Sequence, residues 1–240
     1  MIQEDDFILP DDNGFKGKTL DFLLASGYYR MQHCVFTTCF TQVDITKEPL
    51  PVFWLRTPVK NIQNNAKVAA IRKKCAGFKI TYKKAEITAG VDELYAIYKG
   101  HIIFEASENC RSYLHDTYFP NPFDSWMIEV YDGDMLIAVG YFDRGTNSLA
   151  GILNFYHPSY KKYSLGKYLM LLKIDFAEAN DIQLYYTGYM STAITKFDYK
   201  IFPDINAIEV FLPIERRWVS YAGIGKEGLQ TYVENGLNIF

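Results

Sequence analysis

The chain has 240 residues, of which 49% are hydrophobic, 22% charged and 16% aromatic, and its net charge is −3. This composition excludes a disordered chain and is enough for one large domain or two small ones, each with a real core. There is no apolar run of about 18 residues, so no membrane-spanning helix is expected, and the acidic start MIQEDDFILPDDNGF lacks the basic-then-apolar order of a signal peptide.

A cytoplasmic protein with no membrane partner is therefore expected. Its four cysteines (Cys34, Cys39, Cys75, Cys110) show no C-x-x-C spacing. They read as thiols, with no metal site.

In chain order, residues 1–20 form an acidic, turn-rich lead-in. Asp21–Leu24 before Ser26-Gly27 predicts a short helix with a glycine stop. His33–Val43 and Val52–Val59 read as strands, with a proline-bearing loop at Lys47–Pro51 between them. Asn61–Cys75 fits either a helix or an irregular basic segment. Phe78–Ala85 alternates apolar and basic residues, which suits an exposed strand with one charged face. Asp92–Lys99 is helical, with Leu94, Tyr95 and Tyr98 on one side, and Ser112–Phe119 is a short helix.

The second half is more regular. Trp126–Tyr131, Leu136–Arg144 and Ser148–Tyr156 are strands joined by the turns Asp132-Gly133-Asp134 and Gly145–Asn147, which makes an antiparallel meander. A long helix follows at Tyr163–Asn180, with Ser164 placed to cap it. Ile182–Thr187 is a fourth strand, Ser191–Tyr199 a further helix, and Ala207–Pro213 and Trp218-Val219 late strands. Meander, helix, strand, helix, strand is an acyltransferase-type α/β layout. Such folds splay two neighbouring strands and seat the acyl donor in the gap. The division expected is 1–115 as an N-terminal subdomain and 116–240 as the acyltransferase domain.

Charge is unevenly placed. Residues 1–115 hold 15 basic and 13 acidic side chains, and residues 116–240 hold 10 and 15. From Arg56 to Lys84 there are nine basic residues and no carboxylate. Such a stretch suits a polyanion, although a solvated helix face with a lysine excess would read the same way.

Two motifs carry the chemistry. HPSYKKYSLGKY (157–168) leads into the long helix, where free backbone N–H groups, Gly166 and three lysines make an anion-binding layout. It lacks the Q/R-x-x-G-x-G/A loop of coenzyme A acetyltransferases, and a plain capped helix is the competing reading. In TGYMSTAITKFDYKIFP (187–203), Lys196, Tyr199 and Lys200 would share one helix face and could hold an anion. A tyrosine packed beneath two solvated lysines is the alternative.

These segments, taken in order, resemble the arginyl- and leucyl-tRNA–protein transferases. The likeness rests on Phe155-Tyr156-His157-Pro158, Ser164-Leu165-Gly166, Gly188-Tyr189, Lys196-Phe197-Asp198-Tyr199-Lys200 and Phe202-Pro203, with Trp218 after them. In the first half, LLASGYYRMQH (23–33) with Arg30, WLRTPV (54–59) and ELYAIY (93–98) are similar to the family's entry segment, strand and helix. The family's cysteine cluster is reduced to Cys39, so no metal or iron–sulfur site is carried over. Asp198 and Tyr29 also depart from the pattern.

The resemblance implies a GNAT-like fold, a mixed, mostly antiparallel sheet flanked by helices, with a degenerate GNAT-like N-terminal half. It implies transfer of arginine or leucine from aminoacyl-tRNA to a protein N-terminus, with no cofactor. Tyr199, Lys200 and Glu129 are the candidate catalytic residues. Arg30, Tyr156, Ser164, Gly166, Tyr189 and Lys196 are the candidate binding residues, Arg30 as a fork for an acidic acceptor. Glu129 reads at least as well as an exposed strand residue. An acyl-coenzyme A N-acyltransferase and a non-catalytic tRNA- or degron-binding relative are the alternatives.

Overall fold

The computed structural model describes residues 7–42, 48–102, 106–114 and 120–236. In chain order the elements are β1 (Phe7–Ile8), α1 (Lys18–Ala25), β2 (Tyr29–Met31), β3 (Cys34–Phe36), β4 (Phe40–Thr41), β5 (Leu50–Pro58), α2 (Ala66–Cys75), β6 (Lys79–Lys84), α3 (Ala89–Lys99) and α4 (Arg111–Leu114). There follow β7 (Ser125–Asp132), β8 (Met135–Arg144), β9 (Ser148–Tyr156), α5 (Leu165–Ala179), β10 (Leu184–Ser191), β11 (Glu209–Leu212), β12 (Arg217–Ser220) and α6 (Tyr221–Gly236).

One nine-stranded sheet dominates, in the order β12-β11-β5-β10-β9-β8-β7-β6, with β4 added on β5. β1, β3 and β2 form a separate small sheet. All pairings in the large sheet are antiparallel except that between β9 and β10. This is the GNAT-like layout, a mixed α/β sheet flanked by helices. Strands from both halves of the chain contribute to it, since β5 lies beside β10.

Helices α2 and α5 cover one face of the sheet and α1 and α3 the other. That double cover explains why β7 and β8 are buried along most of their length rather than alternating. On one side Ile128, Val130, Ala138 and Phe142 meet Leu165, Leu169 and Leu172 of α5. On the other, Met127, Val139, Tyr141 and Phe155 meet Val91, Leu94 and Tyr95 of α3. At roughly 25 cal/mol per Å² of apolar surface, these two layers supply the main favourable term for the fold.

Several expected elements differ. His33–Val43 splits into β3 and β4, and Val43 lies outside the described residues. Of Ser112–Phe119, residues 115–119 also lie outside them, and Ser112–Leu114 are helical in α4. Asn61–Cys75 resolves into a short 3₁₀ turn and α2, whose N-cap is Asn65; its Oδ1 accepts from the Val68 N–H at 3.0 Å. The predicted helix Ser191–Tyr199 does not form. Strand β10 runs to Ser191, and only a 3₁₀ turn at Asp198–Ile201 follows. Thr187–Ser191 is extended beside β5, and residues 192–197 are irregular. The C-terminal helix α6 had no expectation attached to it; Gly225 at φ 65°, ψ 176° kinks it and its four glycines dilute its periodicity.

Candidate active site

The parallel pairing of β9 and β10 lasts for only three residue pairs, Ser148↔Leu184, Leu149↔Tyr185 and Ala150↔Tyr186. Beyond it the strands part. β10 keeps its ladder with β5, shifted by a bulge between Tyr186 and Gly188. β9 keeps its ladder with β8, shifted between Tyr141 and Phe142 so that Ile152 has no partner opposite. The Tyr29 hydroxyl sits at the fork, 2.6 Å from the Gly151 carbonyl of β9 and 3.0 Å from the Tyr186 carbonyl of β10. Its ring stacks on Trp54 at 4.9 Å.

The gap opens into a cavity of about 400 Å³, large enough for an amino-acid side chain and its reacting groups. Met170 and Lys173 of α5, Gly151–Asn154 of β9, Thr187–Tyr189 of β10, and Tyr199 and Lys200 wall it on one side. Tyr29, Arg30, Phe36, Trp54 and Tyr113 close it on the other.

Of the residues expected at the site, the fold brings Arg30, Tyr189, Tyr199 and Lys200 to this cavity. Lys200 has its Nζ 4.7 Å from the centre of the Tyr189 ring and 5.2 Å from that of Phe197. Burial, reinforced by the nearby Lys196 charge, lowers its pKa to about 8. Gly188, at φ 99°, leaves the room for it: a Cβ there would stand 2.7 Å from the Lys200 Nζ. Tyr199 is 48% exposed at the cavity rim. Desolvation pushes its hydroxyl up to about 12, so it stays a donor.

Arg30 is largely committed. Its Nη1 donates to both Asp143 carboxylate oxygens (2.7 and 2.9 Å) and to Ser125 Oγ, and its Nε donates to the Gln32 carbonyl. The guanidinium also lies 4.3 Å over the Phe123 ring. Asp143 is fully enclosed. Of the Arg30 donors, the buried Nη2 has no hydrogen-bond partner among the described residues.

The other expected residues lie elsewhere. Glu129 is buried between Lys83, at 3.0 Å, and the Tyr131 hydroxyl, at 3.1 Å, on strands β6 and β7. Tyr156 packs on Tyr98, with ring centres 5.9 Å apart, and a Cβ on Gly166 would meet Tyr156 at 3.6 Å. Ser164 does precede α5, but in a left-handed conformation (φ 58°, ψ 43°) that takes its side chain away from the capping bond. Lys196 is exposed beside Phe197, near enough for its charge to reach Lys200, but it does not line the cavity, and no helix forms there to hold it with Tyr199 and Lys200.

The carboxylate-free stretch is not carboxylate-free in space. Arg56 pairs with Glu209 and Arg72 with Asp175, both at 2.6 Å, while Lys84 pairs with Asp124 and Lys83 with Glu86 and Glu129. Lys60, Lys67, Lys73, Lys74 and Lys79 remain exposed, with no ion pair among the described residues. Lys67, at the start of α2, approaches Lys167 of α5 closely enough to lower the pKa of Lys167, after the larger effect of burial.

The sequence reading missed Lys173, Asn154 and the wedge at Tyr29. Lys173 had a signal: it is the lone cation on the apolar face that Leu169 and Ala177 define at four-residue spacing. It is 1% exposed, and burial lowers its pKa to about 7.

A sheet that parts around a pocket, beside a helix that crosses from one parted strand to the other, is an acyltransferase-type layout. Residues 92–203 match the family model described as arginine-tRNA-protein transferase, C terminus. The aspartate/glutamate leucyltransferase of Shewanella sp. (strain MR-7) is 41% identical over 73 residues, 30% of this chain and 31% of that protein. That of Shewanella putrefaciens (strain CN-32 / ATCC BAA-453) is 32% identical over 118 residues, 45% of this chain and 48% of that protein. The matched part thus spans less than half the length of these relatives. Among solved structures, L-PGS from Bacillus licheniformis superposes with a TM-score of 0.42 at 8% identity, covering 72% of this chain and 50% of that one.

No described helix is long and apolar enough to cross a membrane.

Proposed function

We propose that this protein transfers an amino acid from charged tRNA to the N-terminus of an acceptor protein, in the cytoplasm. The observation that carries the reading is the desolvated Lys200 in the cavity between the parted strands, inside the segment that matches the transferase family. The relatives' names favour leucine as donor and aspartate or glutamate as acceptor. The unpartnered Nη2 of Arg30 at the cavity wall suits an acidic acceptor side chain.

The aminoacyl ester is already activated, so holding it beside the amine supplies much of the rate. The acceptor α-amine nitrogen attacks the ester carbonyl carbon and an N–C bond forms. The ester C–O bond breaks, and the amine's proton passes to the departing ribose oxygen. Neutral Lys200 takes that proton and returns it. Tyr199, protonated at neutral pH, donates a hydrogen bond at the rim.

On this reading residues 1–115 supply Arg30 and the basic helix α2, and residues 116–240 supply the acyl-transfer layout. Lys67 and Lys167, two cations side by side, suit a tRNA phosphate. The test is transfer of labelled leucine and labelled arginine from charged tRNA to peptides that begin with Asp, Glu, Lys or Arg. Leucine on Asp or Glu peptides is expected; absence of transfer from every pair would sink the proposal.

A further inference from the structure

Lys173 is placed as no stability argument would place it. It occupies the middle of α5, on the face that Leu169 and Ala177 pack into the sheet, and it is 1% exposed. A buried lysine is costly unless a counter-charge meets it. None does: its Nζ donates to two neutral acceptors, the Tyr141 carbonyl at 2.9 Å and Asn154 Oδ1 at 2.7 Å. Asp143, the carboxylate whose charge reaches it, is bonded to Arg30 and Ser125.

Three further features accommodate this lysine. The bulge between Tyr141 and Phe142 disturbs the β8–β9 ladder at the Tyr141 carbonyl that it uses. Gly140, opposite Asn154 in the register, clears its path, since a Cβ there would stand 2.9 Å from Asn154 Oδ1 and 3.4 Å from Lys173 Cε. Asn154 itself lies on the parted stretch of β9 and lines the cavity together with Lys173.

The consequence falls on Asn154. An amide whose oxygen accepts from an ammonium or amine has its orientation settled, because only Oδ1 can take that bond. Its Nδ2, with two N–H donors, then has no protein partner among the described residues. We infer that Asn154 is a catalytic residue of the transfer, donating from Nδ2 to the carbonyl oxygen of the aminoacyl ester as it becomes an oxyanion. We infer equally that Lys173 is the positioning residue that locks this amide. The inference rests on the proposed aminoacyl transfer and adds the group that stabilises its transition state, complementing the proton transfer assigned to Lys200.

The experiment is steady-state transfer from charged tRNA to an acidic-N-terminus peptide by the full chain, comparing wild type, N154A, N154D, K173M and the N154A/K173M double variant, with melting temperatures measured alongside. N154A should lose about 10²-fold in kcat with KM little changed, the usual loss for one oxyanion donor. N154D is the discriminating variant: it keeps the shape, gives Lys173 a counter-charge and should melt no lower than wild type. As an acceptor where a donor is needed, it should still be at least as slow as N154A. K173M should lose about tenfold in kcat through a misplaced amide, and the double variant should be no slower than N154A alone.

Wild-type kcat in N154D, or additive losses in the double variant, would make the pair merely structural and overturn the inference while leaving the transferase reading intact. A folded wild type that transfers nothing to any peptide would overturn that reading and this inference together.

Discussion

Replacing Lys200 with methionine should slow the enzyme and stabilise the fold, and both effects should depend on pH. Lys200 titrates at about 8 rather than at its ordinary 10.5. At pH 7 about one molecule in ten then holds it as the neutral amine that can take a proton. Wild-type kcat should therefore rise nearly tenfold between pH 6 and 7, and level off above pH 8. K200M should fall about 10²-fold at pH 8 and lose most of that rise.

The stability effect has the opposite sign. The folded pKa lies below the unfolded one, so the unfolded chain binds more protons between pH 8 and 10.5, and the fold gains stability as pH rises through that window. Below pH 8 the full cost of burying the ammonium is present. Taken from the shift it is at most about 3 kcal/mol, and it is less in practice because the side chain is only partly enclosed. K200M should therefore melt higher than wild type at pH 7, and the gap should close towards pH 10. Single-turnover transfer across pH 6–9, corrected for spontaneous ester hydrolysis, and melting scans over pH 6–10 read the two effects. A K200M variant with wild-type kcat and the same pH profile would refute Lys200 as the base; one that melts lower at pH 7 would refute the uncompensated burial.

Arg30→Met should destabilise the protein by about 3–5 kcal/mol in chemical denaturation, because it strands the enclosed Asp143 carboxylate. Arg30→Met/Asp143→Leu should recover part of that loss, and equal losses in the single and double variants would contradict it. Lys67→Glu with Lys167→Glu should weaken binding of charged tRNA and lower the salt slope of log Kobs by about two, with little change in the melting temperature; an unchanged slope would remove this corner from the RNA surface. Glu129→Gln should leave kcat within about twofold of wild type while lowering stability, since its partners are Lys83 and Tyr131 rather than the cavity; a large loss of kcat in a folded E129Q would restore it to the chemistry.

The local signals were those of short range. The meander β7–β9, the long helix α5 and the late strands β11 and β12 were legible because alternation and helical spacing are local properties, and turns such as Asp132-Gly133-Asp134 bound them. Ser191–Tyr199 misled because Lys196, Tyr199 and the following Lys200 have helical spacing, whereas pairing with β5 extends the chain to Ser191. The basic run 56–84 misled for a related reason: the carboxylates that answer it, Glu209, Asp175 and Asp124, are far away in sequence and adjacent in space.

Sequence by itself determined the class of fold, the segment that bears the family's motifs, and Lys200, Tyr199, Tyr189 and Arg30 as residues of interest. Only the tertiary structure decided what each one meets. It placed Arg30 against a buried aspartate, moved Glu129 away from the cavity, and set Tyr29 where β9 and β10 separate. It also drove Lys173 through the core to the amide of Asn154. The reason is physical. Residue type and spacing report what a side chain can do, but desolvation, counter-charges and hydrogen-bond partners come from strands and helices remote in sequence, and these decide which capable side chain is left with something to do.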